Sequence, residues 1–220
     1  MTDPSPSPSL LDALRELELQ IPVEQLARLD KYRALLWQWN EKLNLTRHTD
    51  FRSFASRDVM DSVQLEKVLA AEEEVLDVGS GGGVPGVVLA ILRPDLDISL
   101  CESTGKKAKV LDAIVAELAL PVAVHHCRAE SLLEDFRFDS VVARAIGPLW
   151  KICTWFEPHW HSVSRLLLIK GPRWLDERAA ARERGLLRNL DLRRVAEYPM
   201  AGTQSRSVIL QLSRRQGTSA

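Results

Sequence analysis

The sequence predicts an α/β fold: a mostly parallel, doubly wound sheet that ends in an antiparallel hairpin and follows a helical N-terminal region. Three observations carry this prediction. Short apolar runs alternate with helical patterns from residue 74 onward, as expected for parallel strands covered on both faces. The first run, Val75-Leu-Asp-Val78, breaks into the glycine-rich turn Gly79-Ser-Gly-Gly-Gly-Val-Pro-Gly86, which brings backbone N–H groups close to any nucleotide-like ligand. The last two runs, 192–198 and 207–212, are joined by a turn containing Gly202 and no helix, so they close the sheet as a hairpin.

The elements follow in order. Leu10 to Leu19 reads as a short helix, and Pro22 opens a longer one. Along the latter, Val23, Leu26, Leu29, Leu36, Trp39 and Leu43 recur at helical spacing and predict one buried stripe. A third helix, about Phe54 to Ala71, leads into strand Glu74–Val78. Pro85–Leu92 follows as a helix, with Pro85 near its first turn, where a missing N–H costs little. Asp97–Cys101 is the second strand, Gly105–Leu118 the next helix and Val122–His126 the third strand. Phe138–Ala143 and Arg165–Ile169 are the remaining interior runs. The expected division is a tail over 1–9, a helical region over 10–73, an α/β domain over 74–215 and a tail over 216–220.

Composition narrows the function. A chain of 220 residues with 45% hydrophobic and 27% charged residues suits one generous soluble domain. No apolar run approaches the ~20 residues that span a membrane, and the Pro/Ser-rich start lacks the features of a signal peptide. Three cysteines without a C-x-x-C pair predict reduced thiols and a cytoplasmic location. Net charge is −1, which argues against a generic nucleic-acid binder, yet from Arg165 onward twelve Lys/Arg face five Asp/Glu. That surplus suits phosphates, or else a solvated basic face. No histidine or cysteine spacing predicts a metal site.

The glycine turn has two readings. Gly81, Gly83 and Gly86 satisfy the dinucleotide pattern G-x-G-x-x-G, which would suit an NAD-linked oxidoreductase. From Asp77 the pattern is acid-x-Gly-x-Gly-x-Gly, with glycines at 79, 81 and 83, the first motif of class I S-adenosylmethionine-dependent methyltransferases. The acid at the strand end favours the second. Ligands of open α/β sheets lie at the carboxyl ends of the strands, so residues just past each strand become candidates. Glu102 follows strand two, where a carboxylate can accept ribose hydroxyls; Arg128-Ala-Glu130 follows strand three; Arg144 ends strand four. There is no Asp/Asn-Pro-Pro-Tyr/Phe motif for an exocyclic amine and no Pro-Cys nucleophile for pyrimidine C5. The acceptor is therefore expected to need no general base, and guanine N7 fits.

With these motifs in order, the chain resembles the bacterial small-subunit (16S) rRNA guanine-N7 methyltransferases, also called glucose-inhibited division protein B. The resemblance rests on Asn44-Leu-Thr46, Arg57-x-x-x-Asp61-Ser62, the Asp77 to Gly86 turn, Ser103-x-Gly-Lys-Lys107, Arg128-Ala-Glu130, Ala143-Arg-Ala145 and Lys170-Gly171, across about residues 25 to 212. It implies the class I methyltransferase fold, S-adenosylmethionine as cofactor and 16S rRNA or the small subunit as partner, with a monomer expected. By resemblance, Gly79, Val84, Ala129, Glu130 and Arg144 contact the cofactor, with Gly81, Gly83 and Glu102 completing the site. Arg144 is expected to act by positioning. Lys106, Lys107 and Arg206, with Arg193 and Arg194 nearby in the basic segment, are the expected RNA contacts. Three features depart from the family: Asp58 stands where a His is usual, the usual Ser-Arg-Ala-Phe segment is Ala143-Arg-Ala-Ile146, and Glu102 stands where Asp is common. Asp58 is expected to remove a cation beside the RNA or cofactor. A methyltransferase for another RNA or small molecule, or a cofactor-binding module without catalysis, are the remaining readings.

Overall fold

The computed structural model describes residues 9–215, so the expected tails, Ser9 apart, lie outside the described residues. Ser9 starts helix α1 (Leu10–Glu16) by accepting the Asp12 N–H on its hydroxyl. Pro22 caps α2 (Val23–Asn40). Along α2 the buried positions are Leu29, Tyr32 and Leu36, while Val23 is 83% exposed. The expected stripe is thus corrected at its start: Val23 is the first helical residue and lies beyond the packed surface, whereas Tyr32 belongs to the stripe. Asp50 caps α3 (Phe51–Ser53), which continues through a π turn (Phe54–Val59) into α4 (Met60–Glu66). The third helix therefore begins before Phe54 and ends before Ala71.

The sheet elements are β1 (Glu74–Val78), α5 (Gly86–Leu92), β2 (Asp97–Cys101), α6 (Gly105–Glu117), β3 (Ala123–His125), α7 (Ala129–Asp135), β4 (Phe138–Arg144), α8 (Leu149–Phe156), β5 (Val163–Lys170), α9 (Trp174–Glu183), β6 (Leu190–Pro199) and β7 (Arg206–Arg214). Strand order is β3-β2-β1-β4-β5-β7-β6. The first five strands pair in parallel, and β7 inserts antiparallel between β5 and β6. Helices α7, α8 and α9 were not legible from the periodicity. They are short or, in α9, carry one buried residue, Ala181.

Successive strand residues point to opposite faces, which splits the core into two layers. Val142 and Leu167 join Leu29, Tyr32, Val87 and Leu111 on one face. Val141 and Leu166 join Leu132, Leu149, Ile152 and Phe156 on the other. The N-terminal helices thus share a core with α5 and α6, and they are held against the sheet by apolar burial at roughly 25 cal/mol per Å². Cys101, Cys127 and Cys153 are free thiols. Among the described residues no helix is long and apolar enough to cross a membrane.

Candidate active site at the carboxyl edge of the sheet

The chain leaves β1 toward β2 and β3 on one side, and β4 leads to β5 on the other. This reversal leaves a crevice above β1 and β4, the usual ligand position in such sheets. Two cavities open there. One, of about 400 Å³, is lined by Val78, Gly79, Cys101, Ser103, Cys127, Arg128, Ala129, Glu130 and the α8 side chains Lys151 and Trp155. The other, of about 1160 Å³, is lined by Asn44 to His48, Arg57, Asp61, Arg144, Lys170, Arg173 and Ser207. The segment following β4 walls both, with Ile146 on the first cavity and Arg144, Ala145, Gly147 and Pro148 on the second.

The glycine turn shows why its residues are small. Gly79 has φ +69°, and a Cβ there would lie 2.6 Å from Ile146 Cγ2. A side chain at this point would be strained and would also fill the gap through which the backbone meets the first cavity. Gly83 has φ +105°, and Tyr32 from α2 lies against it while donating its hydroxyl to the Gly82 carbonyl at 2.9 Å. Asp77 is buried, and its Oδ2 accepts the Gly86 N–H at 3.0 Å, the first of α5. A carboxylate there complements the helix N-terminus. Burial nevertheless pushes the Asp77 carboxyl up to about 7, and its Oδ1 has no hydrogen-bond partner. Glu102 is also buried, with Oε2 accepting from Gly81 N at 3.0 Å and Oε1 from Thr104 N at 2.7 Å. It braces the turn through Oε2 and the start of α6 through Oε1.

The sequence-expected cofactor residues therefore divide. Gly79, Ala129 and Glu130 line the first cavity. Gly81, Gly83 and Glu102 shape the turn beneath it, and Val84, 8% exposed, packs into the core. Cys101 lies at the cavity, and burial followed by the neighbouring Cys127 raises its thiol, so it stays protonated. The cavity fits the cofactor expectation: its volume suits a nucleoside-sized ligand, it has apolar walls with a few polar groups, and its floor is a bare glycine turn.

Arg144, expected at the cofactor, lines the second cavity and not the first, and it is held from behind. Its Nη1 lies 2.8 Å from Asp58 Oδ1 and 3.4 Å from Asp61 Oδ2. Burial opposes the charge on the guanidinium, but Asp58 and Asp61 outweigh it and raise the pKa above the ordinary value. Burial also raises the Asp61 carboxyl, against the lowering by Arg144 and by Tyr198, whose hydroxyl donates to Asp61 Oδ1 at 2.8 Å. Asp58 on the π turn and Asp61 three positions on, in α4, face one guanidinium. At Asp58, where the family usually has a His, the structure places a buried carboxylate with an imidazole from elsewhere in the chain beside it. His48 Nδ1 lies 2.8 Å from the same Asp58 Oδ1, so an imidazole reaches this point from the Asn44–Thr46 loop. Asn40 folds that loop by accepting the Leu45 and Thr46 N–H groups on Oδ1.

The expected RNA contacts scatter. Arg206 sits beside Ser207 at the cavity end of the sheet but is paired with Glu197 at 2.9 Å. Arg193 and Arg194 lie farther along β6, paired with Asp191 and Glu197, so they do not border the mouth. Lys106 and Lys107 begin α6 and line neither cavity. By contrast Arg47, Arg57 and Arg173 line the larger cavity and make no ion pair among the described residues. Sequence reasoning missed His48, Asp58 as a partner of Arg144, and Tyr32. Tyr32 had a signal, because it lies at helical spacing from Leu29 and Leu36. Among the described residues no group of His, Cys, Asp and Glu could hold a metal ion.

A glycine turn at a switch point, a nucleoside-sized cavity and an antiparallel final hairpin define a class I S-adenosylmethionine-dependent methyltransferase. Solved structures share the fold: a mutant of MtNAS in complex with S-adenosylmethionine is 14% identical with a TM-score of 0.56, covering 97% of this chain and 86% of that one. An rRNA methylase from Streptococcus thermophilus is 16% identical with a TM-score of 0.50, covering 73% and 98%. The family model described as rRNA small subunit methyltransferase G matches residues 25–208, and the chain belongs to that family. A relative of that name from Rhodopirellula baltica is 49% identical over 220 residues, covering 92% of this chain and 95% of its own. One from Pseudomonas aeruginosa strain LESB58 is 36% identical over 202 residues, covering 90% and 91%. The cofactor is S-adenosylmethionine, and the oxidoreductase reading falls with this membership.

Proposed function

We propose that this protein methylates N7 of one guanosine in 16S rRNA, acting as a cytoplasmic monomer. The observation that carries the reading is the shared wall: residues 144–148 face a nucleoside-sized cavity on one side and a larger, arginine-lined cavity on the other. Gly79, Ala129 and Glu130 hold the cofactor, with Gly81, Gly83 and Val84 shaping the turn, and Glu102 has lone pairs left for ribose hydroxyls. S-Adenosylmethionine supplies a methyl group activated by its sulfonium. Arg144, Arg47, Arg57 and Arg173 hold the acceptor strand in the larger cavity, whose volume admits a nucleotide and its phosphates. Arg206 at the rim extends this contact outward, and Lys106 and Lys107 would meet RNA only beyond it, past the end of β2.

Guanine N7 carries an available lone pair, so no side chain need remove a proton before it reacts. What the protein contributes is orientation of two ligands, which is worth ~7–11 kcal/mol when alignment is good. The helical region 10–73 belongs to the acceptor side, since Asn44 to His48, Arg57 and Asp61 line that cavity, and 74–215 is the methyltransferase domain. Free cysteines suit a reducing compartment. The test is methylation mapping: small-subunit rRNA from cells lacking the gene, incubated with the protein and cofactor, should gain 7-methylguanosine at one position. A product on another atom or another RNA would refute the reading.

A further inference from the structure

We propose that His48, Asp58 and Arg144 form a clamp that reads the acceptor base as guanine, with Asp58 as its positioning residue. The inference rests on the guanine-N7 reading. Asp58 is fully buried on the π turn, and one of its oxygens, Oδ1, receives both the His48 ring and the Arg144 guanidinium at 2.8 Å each. Its other oxygen, Oδ2, has no hydrogen-bond partner. A carboxylate so placed is tolerated when its charge is compensated by the groups on its other oxygen, and in return it fixes both of them.

The consequence is directional. Arg144 and His48 both line the larger cavity, with side chains 22% and 27% exposed. Arg144 uses Nη1 on Asp58 and Asp61, which leaves Nε and Nη2 without partners among the described residues, and these atoms can only donate. His48 Nδ1 faces the Asp58 carboxylate, which can only accept, so in the neutral form of the ring the proton sits on Nδ1 and Nε2 is presented as an acceptor, also without a partner among the described residues. A donor beside an acceptor matches guanine, which offers the O6 acceptor next to the N1–H donor. Adenine offers the reverse, an amino donor next to the N1 acceptor, and would leave both protein groups opposed. Guanine held by that edge keeps N7 free. The clamp also has a suitable charge. Methyl transfer moves a positive charge onto the purine, and Asp58 and Asp61 place two carboxylates against the one guanidinium.

Substitutions at His48 separate base reading from support of Asp58. Asn reaches about as far as Nδ1 and keeps only the Asp58 bond, whereas Gln places an amide oxygen near Nε2. The native protein is first shown to make 7-methylguanosine on the unmethylated rRNA; failure at that stage removes the parent reading and is visible before any variant is made. We expect His48→Ala and His48→Asn to lose at least 30-fold in kcat/KM for rRNA and His48→Gln to stay within about fivefold. Affinity for the demethylated cofactor by calorimetry should be unchanged in all three, whereas Tm should stay near native in His48→Asn, which keeps the Asp58 bond, and fall in His48→Ala and His48→Gln, which leave that buried carboxylate with one partner fewer. Asp58→Asn should lower kcat at saturating rRNA with the same cofactor affinity. Recovery by Asn instead of Gln, equal loss in all three variants, or values within twofold of native would overturn the proposal.

Discussion

The cofactor side and the acceptor side of this crevice are built in different ways. On the cofactor side, Asp77 to Gly86 supplies a turn fixed mainly by its own backbone: Asp77 holds Gly86 within it, and the outside side chains Glu102 and Tyr32 hold Gly81 and Gly82. On the acceptor side, the loop at 44–48, the π turn, the end of β4 and the start of β7 meet around one cavity, joined by a buried ionic cluster. The first is local backbone geometry with glycine at its contact points. The second is long-range electrostatics among side chains distant in sequence. Damage to each should therefore differ in kind.

The largest effect is expected at Gly79. Gly79→Val would force a branched side chain onto a left-handed backbone and into Ile146. Cofactor affinity should fall at least 100-fold by calorimetry, with activity lost and rRNA binding retained. Retained cofactor affinity would mean that the turn does not form the contact surface.

Arg144→Ala comes next, and here the acceptor side behaves differently. A strand-end arginine facing a crevice ordinarily contributes little to stability. Its two ion pairs with buried carboxylates say otherwise, because removing one partner strands the others at a cost of about 3 kcal/mol or more. Turnover should fall at least 100-fold together with a lower Tm, and Arg144→Lys should recover part of the stability but little turnover. Thermal denaturation beside steady-state kinetics would show both losses; a variant with native Tm would break the contrast.

Asp77 gives a smaller, pH-dependent effect. Its carboxyl titrates at about 7 in the folded protein, against an ordinary 3.8. Between these values the folded state keeps a proton that the unfolded chain has released, so stability falls as pH rises through this window and levels off above it. Relative to Asp77→Asn, which does not titrate, the native protein should lose up to about 3 kcal/mol between pH 5 and pH 8 in urea unfolding. A pH-independent difference would mean that Asp77 is ionised throughout.

Arg206 should have the smallest effect. Glu197 already neutralises it at the rim of the crevice. Arg206→Ala should raise KM for rRNA no more than two- to threefold, and the joint replacement of Arg47, Arg57 and Arg173 should reduce the salt dependence of binding far more. Equal effects would place the RNA along the outer edge of the sheet.

The sequence by itself determined the parallel sheet, the closing hairpin and the cofactor turn. Those features rest on short-range chemistry: strand alternation, a glycine where φ is positive, an acid at a helix start. Glu74–Val78 and Asp97–Cys101 could be bounded to the residue for that reason. Only the tertiary structure decided which cations face the acceptor, because charge count along a chain does not report pairing. Arg193, Arg194 and Arg206 looked alike with Arg57 in sequence, and carboxylates brought by the hairpin separate them. Only the fold, likewise, could bring His48, Asp58 and Arg144 to one carboxylate oxygen, since the π turn and the end of β4 meet by packing across 86 positions of chain (144 − 58). Local rules set backbone shape, whereas long-range desolvation sets which charges act.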